Sequence, residues 1–127
     1  MSTILLSINP EHVKNIFNGT KKYEFRKVRC KKEITKILIY STSPVMEVVG
    51  EAAVEIILED DPETVWKLTS DAAGIDLDFF NEYYLGKEKA VAYKLGDVKR
   101  YRSPKPLSDF GVSSAPQSFV YVNACSE

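Results

Sequence analysis

The chain has 127 residues, with 17 lysines and arginines against 18 aspartates and glutamates and a formal net charge of −1. This length fits one domain, residues 1–127, that can bury a core without a metal or disulfide. The near-neutral charge excludes a protein that is basic overall, although two stretches, 21–36 and 87–105, are rich in lysine and arginine. If these stretches meet in space, they create a local positive field.

Metal and membrane sites are not expected from the composition. Two cysteines, Cys30 and Cys125, and the single His12 are too few for a structural zinc site, which needs four ligands. The N-terminus lacks the pattern of a signal peptide, and no apolar run approaches the roughly 20 residues that span a bilayer. We therefore predict a soluble cytoplasmic protein with free thiols, no metal, no cofactor and no membrane partner.

The first predicted elements are a strand and a capped helix. Residues 3–8 form a short apolar run typical of a buried strand. Asn9 and Pro10 then suit the cap and first turn of a helix, and Gly19 suits the left-handed position just past its end. His12 falls in the first helical turn, where we interpret it as a surface or capping residue rather than a catalytic base.

An alternating strand follows this helix at once. Tyr23 and Phe25 point to one face, and Lys22, Glu24 and Arg26 to the other. A carboxylate between two cations suits recognition of an anion with hydrogen-bonding edges, such as a nucleotide. The alternative is a solvent-facing strand with paired charges.

The next predicted strands are longer. Residues 36–42 form an apolar run typical of a buried strand, and they lead into the turn 41–44. The hydroxyls and amides of this turn could bind an anion, or the turn could simply connect two strands. Residues 46–58 predict another strand, and Gly50 within it indicates a bulge or bend.

Two further helices are predicted in the middle of the chain. One begins at Asp60-Asp61-Pro62 and the other at Asp76, and both starts have capping residues. Trp66, Phe79 and Tyr83 are spaced to lie on helix faces that cover the barrel rather than project into solvent. We interpret the aromatic residues of the third helix as core rather than as a base-stacking platform.

The C-terminal part predicts β-structure again. Residues 89–95 form a strand that continues to Tyr101 past a turn or bulge at Gly96, residues 107–110 form one helical turn, and residues 118–122 form a last strand. Together the elements predict an α+β fold with a small mixed or antiparallel β-barrel of about five to seven strands and about three flanking helices.

Three motifs, in this order, resemble the ASCH domain, a family of the PUA-like superfamily of β-barrels. They are Gly19-x-Lys21-x-x-Glu24-x-Arg26, Tyr40-Ser-Thr-Ser-Pro-Val45 with the following Val49-Gly50, and Ala115-Pro-Gln-Ser-Phe-Val-Tyr121. The resemblance covers nearly the whole chain. It implies a partly open PUA-like barrel whose cleft is lined by the Gly-x-Lys strand, the Ser-Pro turn and the end strands.

The resemblance also implies binding of RNA or a nucleotide. We assign the binding residues to the motifs and their neighbours: Lys21, Lys22, Glu24, Arg26, Ser41, Ser43, Gln117 and Ser118. Strict alternation would put Lys21 on the face opposite Glu24. Lys21 can therefore share the cleft only if it precedes the regular strand or lies at a bulge.

Two other functions stay open. The first is a small hydrolase of nucleotides or RNA, an amidohydrolase or a nuclease, with Lys21 and Glu24 as catalytic residues. Some small ASCH-like amidohydrolases of acylated cytidine use a Lys, a Thr and a Glu. Their Lys matches Lys21, but their Thr position holds Glu24, which is not a hydroxyl nucleophile. The second is a structural domain that binds a partner through the acidic segment 47–63 or the aromatic third helix.

Overall fold

A six-stranded mixed β-sheet and three α-helices make up the fold in the computed structural model, which describes residues 2–122. Two 3₁₀ turns, Ser70–Ala72 and Leu107–Phe110, complete the regular elements. The strands and helices, in chain order, are β1 Ser2–Ile8, α1 Pro10–Asn18, β2 Tyr23–Arg26, β3 Ile34–Ser41, β4 Glu47–Asp60, α2 Pro62–Thr69, α3 Leu77–Tyr83, β5 Ala90–Lys105 and β6 Phe119–Val122.

The strands follow the order β2-β5-β4-β3-β1-β6. β1 pairs with β3 in parallel register, and the other neighbouring strands pair antiparallel. The prediction of an α+β fold with a mixed sheet and three helices is confirmed. The sheet is not closed into a barrel, because no pairing in residues 2–122 joins the edge strands β2 and β6.

Irregularities bend the two longest strands. Ala52 pairs with Val98 and Val54 with Leu95, so β5 has an extra residue beside Gly96. A turn or bulge was expected at Gly96, and the structure has a bulge there. In β4, a Cβ at Gly50 would lie 2.6 Å from Cζ of Phe17 and would also meet the carbonyl oxygen of Lys99, so only glycine allows this close approach.

Apolar side chains pack on both faces of the bent sheet. One cluster joins β1, β3 and the first half of β5 to α1, and a second packs α2 and α3 over β2 and β5. Trp66 and Tyr83 lie partly buried against the second cluster, as predicted. The prediction that Phe79 also covers the barrel rather than projecting into solvent is wrong, because Phe79 is 47% exposed. Consecutive helical residues face different directions, and Phe80, only 1% exposed, takes the core position.

The helix boundaries follow from their caps. Asn9, Asp61 and Asp76 each accept a hydrogen bond from a first-turn N–H, as the sequence predicts. Gly19 ends α1 in the left-handed conformation, with φ of 89°. None of the helices in residues 2–122 is both long and apolar enough to cross a membrane.

Candidate functional site

A small cavity lies between the start of α1, strand β2 and the segment that leads into α3. Its volume is about 170 Å³. We call it the Lys21 pocket. Its polar lining includes His12, Lys21, Glu24, Arg26 and Tyr83, and its apolar lining includes Phe25, Ile75 and Phe79.

Lys21 enters this pocket because it lies before the regular strand. The N–H groups of Thr20 and Lys21 both donate to the carbonyl oxygen of Asn15, at 3.1 and 3.0 Å, which folds the chain back after α1. β2 begins only at Tyr23. The side chain of Lys21 is therefore free of the strand's alternation, and its ammonium lies 3.9 Å from Oε1 of Glu24. It also donates to the carbonyl oxygen of Ala73 at 3.1 Å.

Glu24 and Arg26 share a face of β2, as the alternation predicts. Oε2 of Glu24 accepts hydrogen bonds from Nε and Nη2 of Arg26 at 3.0 and 2.8 Å. Nη2 also donates to the backbone carbonyl of Ser7 in β1, at 2.8 Å. Arg26 thus bridges the edge strand β2 to β1, although these strands are not paired. With Lys21 protonated, two cations and one carboxylate leave the group with a net charge of +1.

Lys21 is only 3% exposed, and both its burial and its charged neighbours shift its pKa. Burial lowers the pKa of Lys21, the negative charge of Glu24 opposes this effect, and repulsion from Arg26 adds to it. The ammonium therefore gives up its proton more readily than an exposed lysine does.

His12 is a pocket residue that the sequence interpretation missed. It does not cap α1, since Asn9 does so, and it is half-buried rather than on the surface. Its Nδ1 is buried and has no hydrogen-bond partner among residues 2–122. Burial lowers the pKa of His12, and Lys21 adds to the effect, so the ring is neutral at pH 7. The only signal in the sequence was that this is the single histidine of the chain.

Tyr83 also lines the pocket. Its hydroxyl donates to the carbonyl oxygen of Phe25 at 3.4 Å. Burial raises the pKa of Tyr83, so the phenol stays protonated at neutral pH and does not act there as a phenolate base.

Lys22 is exposed and lies outside the Lys21 pocket. It lines a neighbouring groove with Glu55 and Lys94, which form an ion pair at 3.6 Å. The two basic stretches of the sequence adjoin here, because β2 pairs with β5. Acidic Glu55 lies among them, so this groove is mixed in charge.

The other predicted binding residues are also outside the Lys21 pocket. Ser41 is buried and lines a separate groove with Lys14 and Arg100, and Ser43 is exposed in the following turn. Gln117 and Ser118 are exposed in the bend before β6. Ser7 Oγ donates to the carbonyl oxygen of Pro116 at 2.8 Å. Because the backbone carbonyl of Ser7 accepts from Arg26, this bend lies near Arg26. The structure thus joins Lys21, Glu24 and Arg26 in one pocket, and a binding role for the other residues stays a prediction.

Metal ligation has no obvious place in the described part of the chain. No group of three or more His, Cys, Asp or Glu side chains in residues 2–122 is arranged to hold a metal ion.

Known proteins have a similar fold and a related sequence. The crystal structure of ASCH from Zymomonas mobilis matches with a TM-score of 0.86 and 31% identity, over 96% of this chain and 88% of that one. An ASCH domain-containing ribonuclease of Zymomonas mobilis is 35% identical over 99 residues, which cover 77% of this chain and 67% of that protein. The chain belongs to the ASCH domain family. DUF365, a domain of unknown function that matches residues 1–115, is an ASCH-type family.

Longer proteins also contain a similar segment. The large ribosomal subunit protein uL22 of Ureaplasma parvum is 31% identical over 121 residues. These residues cover 94% of this ASCH domain but 39% of that protein. The ATP synthase subunit alpha of the same organism is 33% identical over 121 residues, which are 15% of that protein. The chain thus spans well under half of these relatives, whose names describe much longer proteins.

Proposed function

We propose that this ASCH domain binds single-stranded RNA and cleaves its phosphodiester backbone in the Lys21 pocket. The observation that carries the proposal is the net positive charge of the group formed by Lys21, Glu24 and Arg26. This group lines the pocket together with His12, whose buried Nδ1 has no partner in residues 2–122. An anion-binding group next to a neutral histidine suits phosphoryl transfer. The ribonuclease name of the Zymomonas mobilis relative supports RNA as the substrate.

The size of the pocket favours a single phosphodiester unit. A volume of about 170 Å³ is below the roughly 300–1,000 Å³ of pockets that hold drug-sized ligands. A duplex cannot enter such a space, whereas an unpaired strand can present one ribose and one phosphate to it. Proteins that read single strands use splayed nucleotides in this way.

The pocket residues have distinct roles in the proposed reaction. Neutral His12 takes the proton of the ribose 2′-hydroxyl, and the 2′-oxygen forms a bond to phosphorus. The bond from phosphorus to the 5′-oxygen breaks, and Lys21 gives its proton to that oxygen. Arg26, held by Glu24, and the ammonium of Lys21 stabilise the negative charge that develops on the phosphoryl oxygens. The products are a 2′,3′-cyclic phosphate and a 5′-hydroxyl.

Cleavage of end-labelled RNA tests this proposal. We expect the parent protein to cut an RNA oligonucleotide to cyclic-phosphate products and to leave the same sequence intact as DNA or as 2′-O-methyl RNA. Lys21→Ala and His12→Ala should lower the rate about 10²- to 10⁴-fold, the usual contribution of a general acid or base. Lys67→Ala is the matched control, because Lys67 is exposed on α2 and is not among the described residues that line the pocket.

Two results would overturn the proposal. One is the absence of any cleavage by the parent protein, and the other is cleavage at the parent rate by both pocket variants. Contaminating ribonuclease is detected by purifying all variants in parallel, since a contaminant does not depend on Lys21.

Binding without cleavage is the second candidate function. Glu24 favours the charged form of Lys21 and opposes the effect of burial, which suits a permanent anion site. In that case Lys21→Ala should weaken RNA or nucleotide binding and flatten its salt dependence, because one phosphate contact is lost. The amidohydrolase reaction is tested beside it with an acylated cytidine.

A further inference from the structure

Phe79 is the aromatic residue of α3 that the core does not use. Phe80 packs edge-on against Phe25, with ring centroids 5.3 Å apart, and tilted against Trp66, with centroids 4.9 Å apart. Phe79 is instead 47% exposed and lines the mouth of the Lys21 pocket. Its ring contacts His12 in an edge-to-face arrangement, with centroids 5.5 Å apart and planes at 80°. A large apolar side chain is thus held in place beside the polar group of the site.

A nucleotide bound in the pocket needs an apolar surface for its base outside the pocket. A volume of about 170 Å³ that holds the phosphate and ribose has no room for the attached base, which must lie at the mouth. Phe79 is the exposed aromatic residue at that mouth in the described part of the chain. Bases of single-stranded nucleic acids bind to proteins largely by stacking on aromatic side chains.

The charges around Phe79 favour a base over a phosphate at this place. Asp76, Asp78 and Glu82 lie on or beside α3 and are exposed. These carboxylates repel the phosphate backbone, whereas a base carries no charge. Positive charge lies inside the pocket, at Lys21 and Arg26. The arrangement therefore orients a nucleotide with its phosphate inward and its base on α3.

The same segment holds both ends of the proposed ligand. The carbonyl oxygen of Ala73 accepts the hydrogen bond of the Lys21 ammonium, and Asp76 caps α3 by accepting from the N–H of Phe79. The distance between the anion site and Phe79 is thus set by one short stretch, 73–79. Such a stretch fixes which phosphate a stacked base presents to Lys21.

We propose that Phe79 is the stacking platform for a base adjacent to the phosphate in the Lys21 pocket, and so a substrate-binding residue of this site. This inference rests on the proposed function, because it assumes that the ligand is single-stranded RNA. It predicts that binding depends on the presence of a base beside the phosphate and tolerates changes of that base, since every base has a π-face.

A dinucleotide gives the sharpest test, because it contains a single phosphodiester. The substrate is adenylyl-adenosine, with two analogues in which one or the other adenosine is replaced by anhydroribitol, which keeps the sugar and lacks the base. In the parent protein, removal of one of the two bases should lower kcat/KM about 5- to 150-fold. In Phe79→Ala, the same removal should change kcat/KM by less than about 2-fold, because the platform is already missing.

The variants separate stacking from general apolar contact. Phe79→Trp should keep the dependence on the base, whereas Phe79→Leu should lose most of it. Leu77→Ala is the matched control, because Leu77 is on the same helix, is 46% exposed and is not among the described residues that line the pocket. It should behave like the parent.

A binding assay distinguishes failure of this inference from failure of the proposed function. The probe is a 2′-O-methyl dinucleotide that contains 2-aminopurine, whose fluorescence falls when the base stacks. Quenching in the parent but not in Phe79→Ala supports the inference, even if no RNA is cleaved. Equal quenching or equal kcat/KM in both proteins overturns the inference and leaves the proposed function standing. Absence of both binding and cleavage in the parent overturns both.

Discussion

Gly74 leaves room for the aliphatic stem of Lys21. A Cβ at position 74 would lie 2.6 Å from Cγ and 2.9 Å from Cα of Lys21, and it would also meet Cβ of that residue. Gly74 has φ of +73°, a conformation that other residues rarely adopt. The residues just before it hold Lys21 in place, because Ala72 accepts from the backbone N–H of Lys22 and Ala73 from the ammonium of Lys21.

Gly74→Ala should therefore affect both stability and the site. The added methyl group displaces the Lys21 stem, and we expect the free energy of unfolding to fall by more than about 1 kcal/mol. We also expect the loss of RNA cleavage or binding to approach that of Lys21→Ala. Urea unfolding and the cleavage assay measure the two effects.

Gly86→Ala is the control for backbone strain. Gly86 has φ of +78°, but a Cβ there would meet no atom within 4 Å. The difference between the two variants isolates the contact with Lys21. Equal unfolding midpoints for Gly74→Ala and Gly86→Ala would contradict a special contact at position 74.

Lys21→Met should stabilise the protein while it abolishes function. Methionine keeps the apolar stem, and it removes a buried ammonium whose desolvation outweighs its attraction to Glu24. Glu24 keeps its two hydrogen bonds from Arg26. We expect the free energy of unfolding to rise by about 0.5–2 kcal/mol at pH 7, the usual range for stabilising substitutions.

The pH dependence of this effect has a definite sign. The pKa of Lys21 is lowered on folding, so the unfolded chain binds its proton more tightly, and the contribution of Lys21 to the stability of the parent rises with pH up to about 10.5. The advantage of Lys21→Met should therefore shrink as the pH rises toward 10.5. Unfolding of both proteins at several pH values measures this, and an advantage that grows with pH would contradict a lowered pKa.

The sequence was sufficient to predict the strand face of the site. Alternation puts Glu24 and Arg26 on one side of β2, and the helix stop at Gly19 leaves room for Lys21 to turn in before the strand begins. These are local relations, set within about ten residues. The three capped helices follow from similarly local signals, whereas the parallel pairing of β1 with β3, which makes the sheet mixed, joins residues more than 30 positions apart and was left open.

The rest of the site depends on contacts between distant parts of the chain. His12 becomes a pocket residue only because α3 brings Phe79 against its ring. Which of Phe79 and Phe80 faces the core depends on how α3 is rotated on the sheet, and their sequence positions alone do not decide it. The openness of the sheet depends likewise on whether β2 and β6 meet, which is a property of bend and twist along β4 and β5.

His12 should control the acid limb of the activity profile. Its pKa is lowered by burial and by Lys21, so the neutral base form persists below pH 6.5. We expect kcat/KM to fall as the pH drops through a midpoint below 6.5, and His12→Gln should have a low rate without this limb. A parent midpoint above 6.5, or an unchanged limb in His12→Gln, would show that another group titrates.

Stability should change in the same pH range. Because the folded pKa of His12 is lowered, the unfolded state binds a proton first, and the parent loses stability as the pH falls below about 6.5. His12→Gln should lack this component. The difference in unfolding free energy between the two proteins, followed from pH 7 downward, measures it independently of any substrate.

Glu24→Gln should be the most destabilising of the polar substitutions in the pocket. It leaves Lys21 and Arg26 as two close cations, one of them almost fully buried, without the carboxylate between them. Removal of one partner from a buried ionic group typically costs about 3–5 kcal/mol, since the remaining charge is not compensated. Glu59→Gln is the control, because its pair with Arg29 is exposed and should contribute at most about 1 kcal/mol.

The double variant Lys21→Met, Glu24→Gln gives the decisive comparison. Removal of the Lys21 charge relieves its repulsion with Arg26, so the double variant should be more stable than Glu24→Gln alone. Urea unfolding of the parent, both single variants and the double variant gives the coupling energy, which we expect to be about 0.5–3 kcal/mol for residues in one ionic network. Purely additive effects would mean that Lys21 and Glu24 do not interact across their 3.9 Å separation.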